Sequence, residues 1–266
     1  MRMFRKNLSF ILAVLMIMSC MTVVAFGADG VTVNLRIEGI EECLYYGDVT
    51  VAEGSTVLDV LKAADAKDST LTVTTVSSDF GPYVTAINGI TSGSYTAMKW
   101  DGWSYQVDGV SPDLGVSAYA VSDNETIVMF YGDPWNTGMQ YPIVDTSGLA
   151  DGKITVTSMD TVYDPVTWEP TVKECPVANY TLTWGYGSGK IVELTADADG
   201  VCVIPEDYLT AGEHTVQIEK YDAVSGLPTV LRLAPDYSVT VEGGFFARII
   251  AFFRNIIETI LALLGI

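Results

Sequence analysis

Cysteine, histidine and basic residues are all scarce in this 266-residue chain, and each scarcity removes a class of function. Of four cysteines, Cys20 lies in an apolar leader, which leaves Cys43, Cys175 and Cys202. That number is too small for a disulfide scaffold, and the spacing gives no zinc site. Cys175 and Cys202 fall in one later region and form a candidate disulfide, provided their Cα atoms come within about 7 Å. Cys43 is then buried or free. The single histidine, His214 in GEHTVQIEKY, sits in a strand pattern without the serine and acid of a triad, so its expected role is structural. Lys and Arg number 14 against 33 Asp and Glu, a net charge of −19. Such a chain repels nucleic acid and anionic lipid, which discounts both as partners of the globular part. Nothing in the spacing pairs two carboxylates for acid–base work. No catalytic residue, metal ligand set or required cofactor is therefore expected, and the chain is read as no enzyme.

The ends carry what the middle lacks, long apolar runs. Arg2, Arg5 and Lys6 precede an apolar core over 8–26, and small residues Ala25 and Gly27 precede a cut ahead of Ala28. Residues 1–27 are expected to be an export signal, removed on secretion. A lipid-attachment box at Ile17–Cys20 is disfavoured, because the apolar run continues past Cys20. At the other end, residues 243–266 open on a Gly243-Gly244 hinge. Helical spacing from Phe245 places Arg248, Ala251, Asn255, Glu258, Thr259 and Ala262 on one stripe. A broad apolar face with a narrow polar stripe suits a helix lying in a membrane interface or packing against copies of itself, and not a membrane span. An extracellular protein held at the cell surface is the expectation.

Between the ends, VTVNLRIE (31–38) alternates as a strand and a second strand follows near 43–52. Thr56 and Asp59 form a capping box, and Val57, Leu58, Leu61 and Ala64 share one helical face. Strand patterning returns at 71–77. Three aromatic-rich patches then follow: YVTAINGI (83–90), KWDGWSYQVDG (99–109) and YAVSDNETIVMFYG (119–132). Gly and Asn-Gly interruptions favour tight reversals, so the patches predict a small antiparallel sheet bearing tryptophans and tyrosines. One helix across a mixed sheet is the β-grasp arrangement, an α+β class, over 29–132. Residues 133–152, rich in Gly, Pro and small polar residues, are expected as a linker. From 153 to 242 strand patterns alone recur at turn-separated intervals, which predicts a β-sandwich of immunoglobulin-like or prealbumin-like type. TADADG (195–200) superficially suggests a calcium loop, but most of that loop's ligands are missing and a hairpin turn is the better reading.

The blocks VTVAEGSTVLDVLKAA, GPYVTAINGI, GWSYQVDG and YAVSDNETIVMFYG resemble the transcobalamin-like C-terminal domain found in exported proteins of Gram-positive bacteria. The resemblance covers about residues 31–132. It implies a ligand-binding β-grasp domain and a flat ligand such as a corrinoid, cobalamin among them. In the animal vitamin B12 carriers a helical barrel holds the ring's other face; this chain has no such barrel pattern. On the resemblance, Tyr83, Asn88, Trp100, Trp103 and Tyr105 are the candidate ligand-binding positions. The later region resembles, more loosely, β-sandwich modules of bacterial surface proteins.

Two functions follow as expectations. The first is a secreted, surface-associated binding protein for a small molecule or another surface protein. The alternative is a structural or adhesive protein whose β domains serve as stalk or contact modules. Whether Trp100, Trp103 and Tyr105 line an open concavity or lie under the helix at 56–66 discriminates the two, and burial beneath the helix favours the second.

Overall fold

The computed structural model describes residues 30–79, 81–133, 138–186 and 190–242. The expected export signal, the expected C-terminal helix and Trp135 lie outside these residues. The described chain is mostly strand.

The first unit is built on β1 (Gly30–Glu38), β2 (Cys43–Ala52), β6 (Gly102–Val107) and β7 (Thr126–Gly132), in the sheet order β2-β1-β7-β6. β1 pairs antiparallel with β2 and parallel with β7. A single helix, α1 (Val57–Lys67), lies against one face. Its start is the expected capping box: Asp59 N–H donates to Thr56 Oγ1, and Thr56 N–H donates to Asp59 Oδ2 at 2.9 Å. The anticipated face is buried and Val60 joins it. Those side chains pack on Val33, Leu35, Ile37, Ile127 and Met129, the alternate residues of β1 and β7.

The three aromatic patches do not share one sheet. YVTAINGI forms β4 (Gly81–Ile87) and β5 (Ile90–Thr91), which join β3 (Val73–Ser78) in a separate three-stranded sheet. The other two patches supply β6 and β7 of the main sheet. The reversals themselves are as expected. Asn88 and Gly89 have φ of 46° and 81°, and Asp108 and Gly109 have 50° and 78°, the left-handed pair that a tight hairpin requires.

The second unit contains β8 (Ile143–Asp145), β9 (Lys153–Tyr163), β10 (Pro170–Pro176) and β13 (Val201–Val203) in one sheet. The other holds β12 (Val192–Thr195), β11 (Thr181–Tyr186), β14 (Gly212–Glu219) and β15 (Ser238–Val241). Ile154, Val156 and Cys202 of the first sheet face Leu182, Trp184, Val216 and Ile218 of the second across one core. TADADG is a turn: Asp197 Oδ1 accepts from the Asp199 and Val201 N–H groups, and Gly200 has φ of 75°. His214 is structural, stacked on Trp184 at 4.7 Å with Nε2 2.6 Å from the Thr210 carbonyl.

Two segments depart from the sequence expectation. Residues within 133–152, expected as a linker, supply β8, which pairs with β9. TVLRLA (229–234), expected as a strand, joins no ladder and makes one isolated bridge, Val230 to Gln140. Its side chains go in both directions: Val230 and Leu233 enter the second unit's core, while Leu231 packs with Val128 and Phe130 of β7.

Candidate functional site

Alternation leaves β1 and β7 with a second face, opposite α1, carrying Asn34, Arg36, Glu38, Val128 and Phe130. The second unit docks on this face. Phe130 meets Tyr141 edge-on, with centroids 5.8 Å apart. Arg232 Nε and Nη2 both donate to Glu38 Oε2, at 3.1 and 2.8 Å. Arg36 Nη1 donates to the Arg232 carbonyl at 2.9 Å. All three charged residues are buried. Burial pulls the Arg36 guanidinium below its ordinary pKa, opposed by the Glu38 charge. Tyr46 OH donates to Asp236 Oδ1 at 2.8 Å and ties the hairpin of the first unit to the second.

A cleft of 1220 Å³ opens beside this ion network. Its floor is the second face of the main sheet, at Asn34, Gln106, Thr126 and Val128. Its wall comes from the β9–β10 hairpin, through Met159, Thr161 and Val172. Among the described residues Arg36 and Arg232 line it and no carboxylate does, in a chain whose acids outnumber its bases more than twofold. Tyr141 lines it too, and its phenol is pushed up by burial, against hydrogen bonds with Ser111 and Gln106. A second cavity, of 550 Å³, lies across the network and is lined by Glu38, Glu41, Glu42, Asp68 and Glu219. Arg232 lines both cavities, and the second is the richer in acids.

The sequence-predicted positions are not brought together. Tyr105 is buried, and its hydroxyl donates to the Leu114 carbonyl. Trp103 packs against the first core, donates through Nε1 to the Ile90 carbonyl at 2.9 Å, and meets Tyr131 edge-on at 5.3 Å. Asn88 holds its turn, its Oδ1 accepting from Thr72 N–H at 2.7 Å. Tyr83 and Trp100 are exposed, and neither lines the cleft or the acidic cavity. Trp103 and Tyr131 instead fasten the small sheet to the main one, since Tyr131 shares its single hydroxyl hydrogen between the Thr91 carbonyl at 2.7 Å and Asp101 Oδ2 at 2.6 Å.

The Cys175–Cys202 pair is also corrected: both thiols are free. Cys175 faces Ser158 and Cys202 faces Ile154 along β9. At strand rise that offset is about 13 Å, beyond disulfide reach. Among the described residues no group of three or more His, Cys, Asp or Glu side chains can hold a metal ion. Nor is any helix there long and apolar enough to cross a membrane.

The cleft residues were missed because each looks ordinary in sequence. The available signal was a charged residue beside apolar ones: Arg36 between Leu35 and Ile37 with Glu38 directly after, and Arg232 between Leu231 and Leu233. A charge placed there needs a partner when both faces of the strand are covered.

Residues 54–133 match the model of a family described as a domain of unknown function, DUF4430. A search of the curated proteins finds no significant match. Among solved structures, the chain is similar to haptocorrin in complex with Cbi, with 26% identity and a TM-score of 0.36 over 39% of this chain. That likeness spans 25% of haptocorrin's own chain. It is also similar to a protein of Ruminococcus gnavus to which metal binding has been ascribed, with 12% identity and a TM-score of 0.31. There the coverage is 39% of this chain and 97% of the other.

Proposed function

We propose that this is an exported, surface-associated and non-enzymatic binding protein that takes a small amphipathic ligand in the cleft between its units. The observation that supports the reading is the chemistry of that cleft. Apolar side chains from both units line it, the carboxylate-paired guanidinium groups of Arg36 and Arg232 reach it, and Asn34 and Gln106 offer amides. A few convergent polar groups in a largely apolar recess are what a ligand site needs. An apolar molecule with amide or anionic groups on its edge is the chemical class that fits. The first unit is read as β-grasp, and a corrinoid, suggested by the sequence resemblance, belongs to that ligand class.

The test is a titration of the full-length chain with cobalamin and, separately, with 8-anilinonaphthalene-1-sulfonate, a flat apolar anion. Saturable binding that weakens about tenfold or more in Val172→Glu and Val110→Glu supports the cleft. Both positions are exposed, so the added charge enters the wall without disturbing a core. No cobalamin response at high micromolar concentration rejects the corrinoid alone. Failure of both probes, or binding insensitive to both variants, rejects the cleft.

A second reading, an adhesive module, is favoured by the tip of the β9–β10 hairpin. Val166 and Trp168 there are 84% and 74% exposed. Cells displaying a Trp168→Ala variant should adhere less if that tip is the contact.

A further inference from the structure

We infer that the cleft takes an extended peptide, which adds a strand to an open edge of β9. This rests on the cleft reading and names the class of its ligand.

The bonding of β9 fixes which of its main-chain groups are free. Its register with β10 sets Ser158 opposite Cys175, Asp160 opposite Lys173 and Val162 opposite Thr171. At the two ends of this ladder Val177 N–H donates to the Val156 carbonyl at 2.9 Å, and Asp164 N–H to the Glu169 carbonyl at 3.0 Å. In an antiparallel pair only every second residue bonds to the partner strand. The even-numbered residues of β9 therefore turn to β10, and Met159, Thr161 and Tyr163 turn their N–H and C=O groups to the other edge. There β8 covers β9 only as far as Thr157, opposite Ile143. Tyr141 would come next, but the chain leaves the ladder at Pro142. Tyr141 N–H goes to Ser158 Oγ at 3.3 Å, and Gln140 N–H goes to the Thr229 carbonyl at 2.9 Å. Among the described residues no hydrogen bond reaches the main chain of Met159, Thr161 or Tyr163 on this edge.

A bare edge is a template for a further strand, and proteins usually blunt it. The other edge of the same hairpin is blunted: the outward positions of β10 include Pro170 and Pro176, which have no N–H to offer. The edge of β9 carries no such device, and it opens on the cleft, where Met159 and Thr161 line the cavity beside Tyr141, Pro142 and Ile143. Its free groups recur every second residue, about 6.8 Å apart, a spacing that another extended main chain matches. The same edge of a second copy lies between that copy's own units. Two whole chains cannot bring these edges together, whereas a single strand can enter. Directly opposed residues place their side chains on one face, as Thr161 and Val172 do in the cleft wall. The peptide residues that bond to β9 therefore turn their side chains to the face of Met159 and Val172, and apolar ones suit it.

The test is calorimetric titration of the full-length chain with an acetylated, amidated Thr-Val-Thr-Val-Thr peptide, beside 8-anilinonaphthalene-1-sulfonate as the probe of the cleft itself. The peptide should bind saturably at one equivalent. Methylating both valine nitrogens should weaken it about tenfold or more, and methylating the central threonine nitrogen should not. In the protein, Thr161→Pro removes one free N–H and no bond of the β9–β10 ladder. It should weaken the peptide about tenfold or more and leave dye binding unchanged, while Thr161→Val, which keeps the N–H, should bind both. No saturable peptide binding to about 10 mM, with the dye still bound and sensitive to Val172→Glu, overturns the inference and leaves the cleft reading standing. Failure of the dye as well overturns both. Equal weakening by the two methylation patterns, or normal peptide binding by Thr161→Pro, also overturns the inference, since the edge would then not be used. So does a dimer in sedimentation that Thr161→Pro makes monomeric, because the edge would then belong to a second copy.

Discussion

Glu38 of β1 receives both its short hydrogen bonds from Arg232, 194 residues further along the chain. The pair joins the first strand of one unit to a segment whose Val230 and Leu233 enter the core of the other. Removing one partner of a buried pair leaves an uncompensated charge, which costs about 3–5 kcal/mol. Arg232→Ala should therefore lower stability by that order in urea denaturation. Adding Glu38→Gln in the same background should recover part of the loss, because it neutralises the stranded carboxylate. A loss below about 1 kcal/mol in the single variant would mean that the pair does not fasten the units.

Asp101 fixes the loop between β5 and β6. Its carboxylate accepts from the N–H groups of Ser94, Tyr95 and Thr96, from Thr96 Oγ1, and from Tyr131 OH at 2.6 Å. Burial works to raise its pKa, but the hydrogen bonds from Thr96, Tyr131 and Tyr95 prevail and bring it from 3.8 to about 2. A carboxylate with a depressed folded pKa contributes stability above its unfolded value and loses it as pH falls through the folded one. The melting temperature should thus drop between about pH 4 and about pH 2, and this component should vanish in Asp101→Asn. At neutral pH that variant should be less stable than the parent by about 1–3 kcal/mol, since an amide cannot accept all five bonds. An unchanged acid limb in the variant would assign the pH dependence to other carboxylates.

Local features of the fold were legible in the sequence, and long-range ones were not. Thr56 and Asp59 announce α1 because a cap is satisfied within one turn. Asn88-Gly89 and Asp108-Gly109 announce their hairpins because positive φ restricts the residue choice. Sheet membership has no such local mark. The patch at 83–90 and the patch at 99–109 carry the same alternation, yet they enter different sheets. What decides is that Trp103 and Tyr131 reach the carbonyls of Ile90 and Thr91. β10 has no strand signal of its own, because its sequence, PTVKECP, has a proline at each end and no buried side chain. TVLRLA looked like a strand because its apolar residues are divided between two cores, a pattern that a half-buried strand also produces. The candidate site was the least legible part, since it is made by two units meeting.

Two glycines with similar backbones should respond differently to alanine. Gly89 and Gly200 have φ of 81° and 75°, so each substitution bears the left-handed cost of about 1–2 kcal/mol. At Gly89 an added Cβ meets nothing within 4 Å. At Gly200 it would lie 2.4 Å from the Val156 carbonyl oxygen, in the middle of the second unit's first sheet. Gly200→Ala should therefore cost clearly more than Gly89→Ala in denaturant titrations. Equal costs would show that the β9–β13 contact can open to admit a methyl group.

The free cysteines should differ in reactivity for reasons visible in their surroundings. Cys43 is pushed up to about 12, by burial first and by the neighbouring Glu38 charge second. At pH 8 about one molecule in 10⁴ then carries the reactive thiolate. Cys202 has no exposure at all, lies within the second core, and is also raised by burial. Cys175 is partly exposed at the end of β10, a strand whose other side chains face solvent. Iodoacetamide applied to the native chain, followed by peptide mass mapping, should modify Cys175 well before Cys43 and Cys202, and unfolding in urea should make all three react. A peptide joining Cys175 to Cys202 would contradict the β9 register that sets them about 13 Å apart.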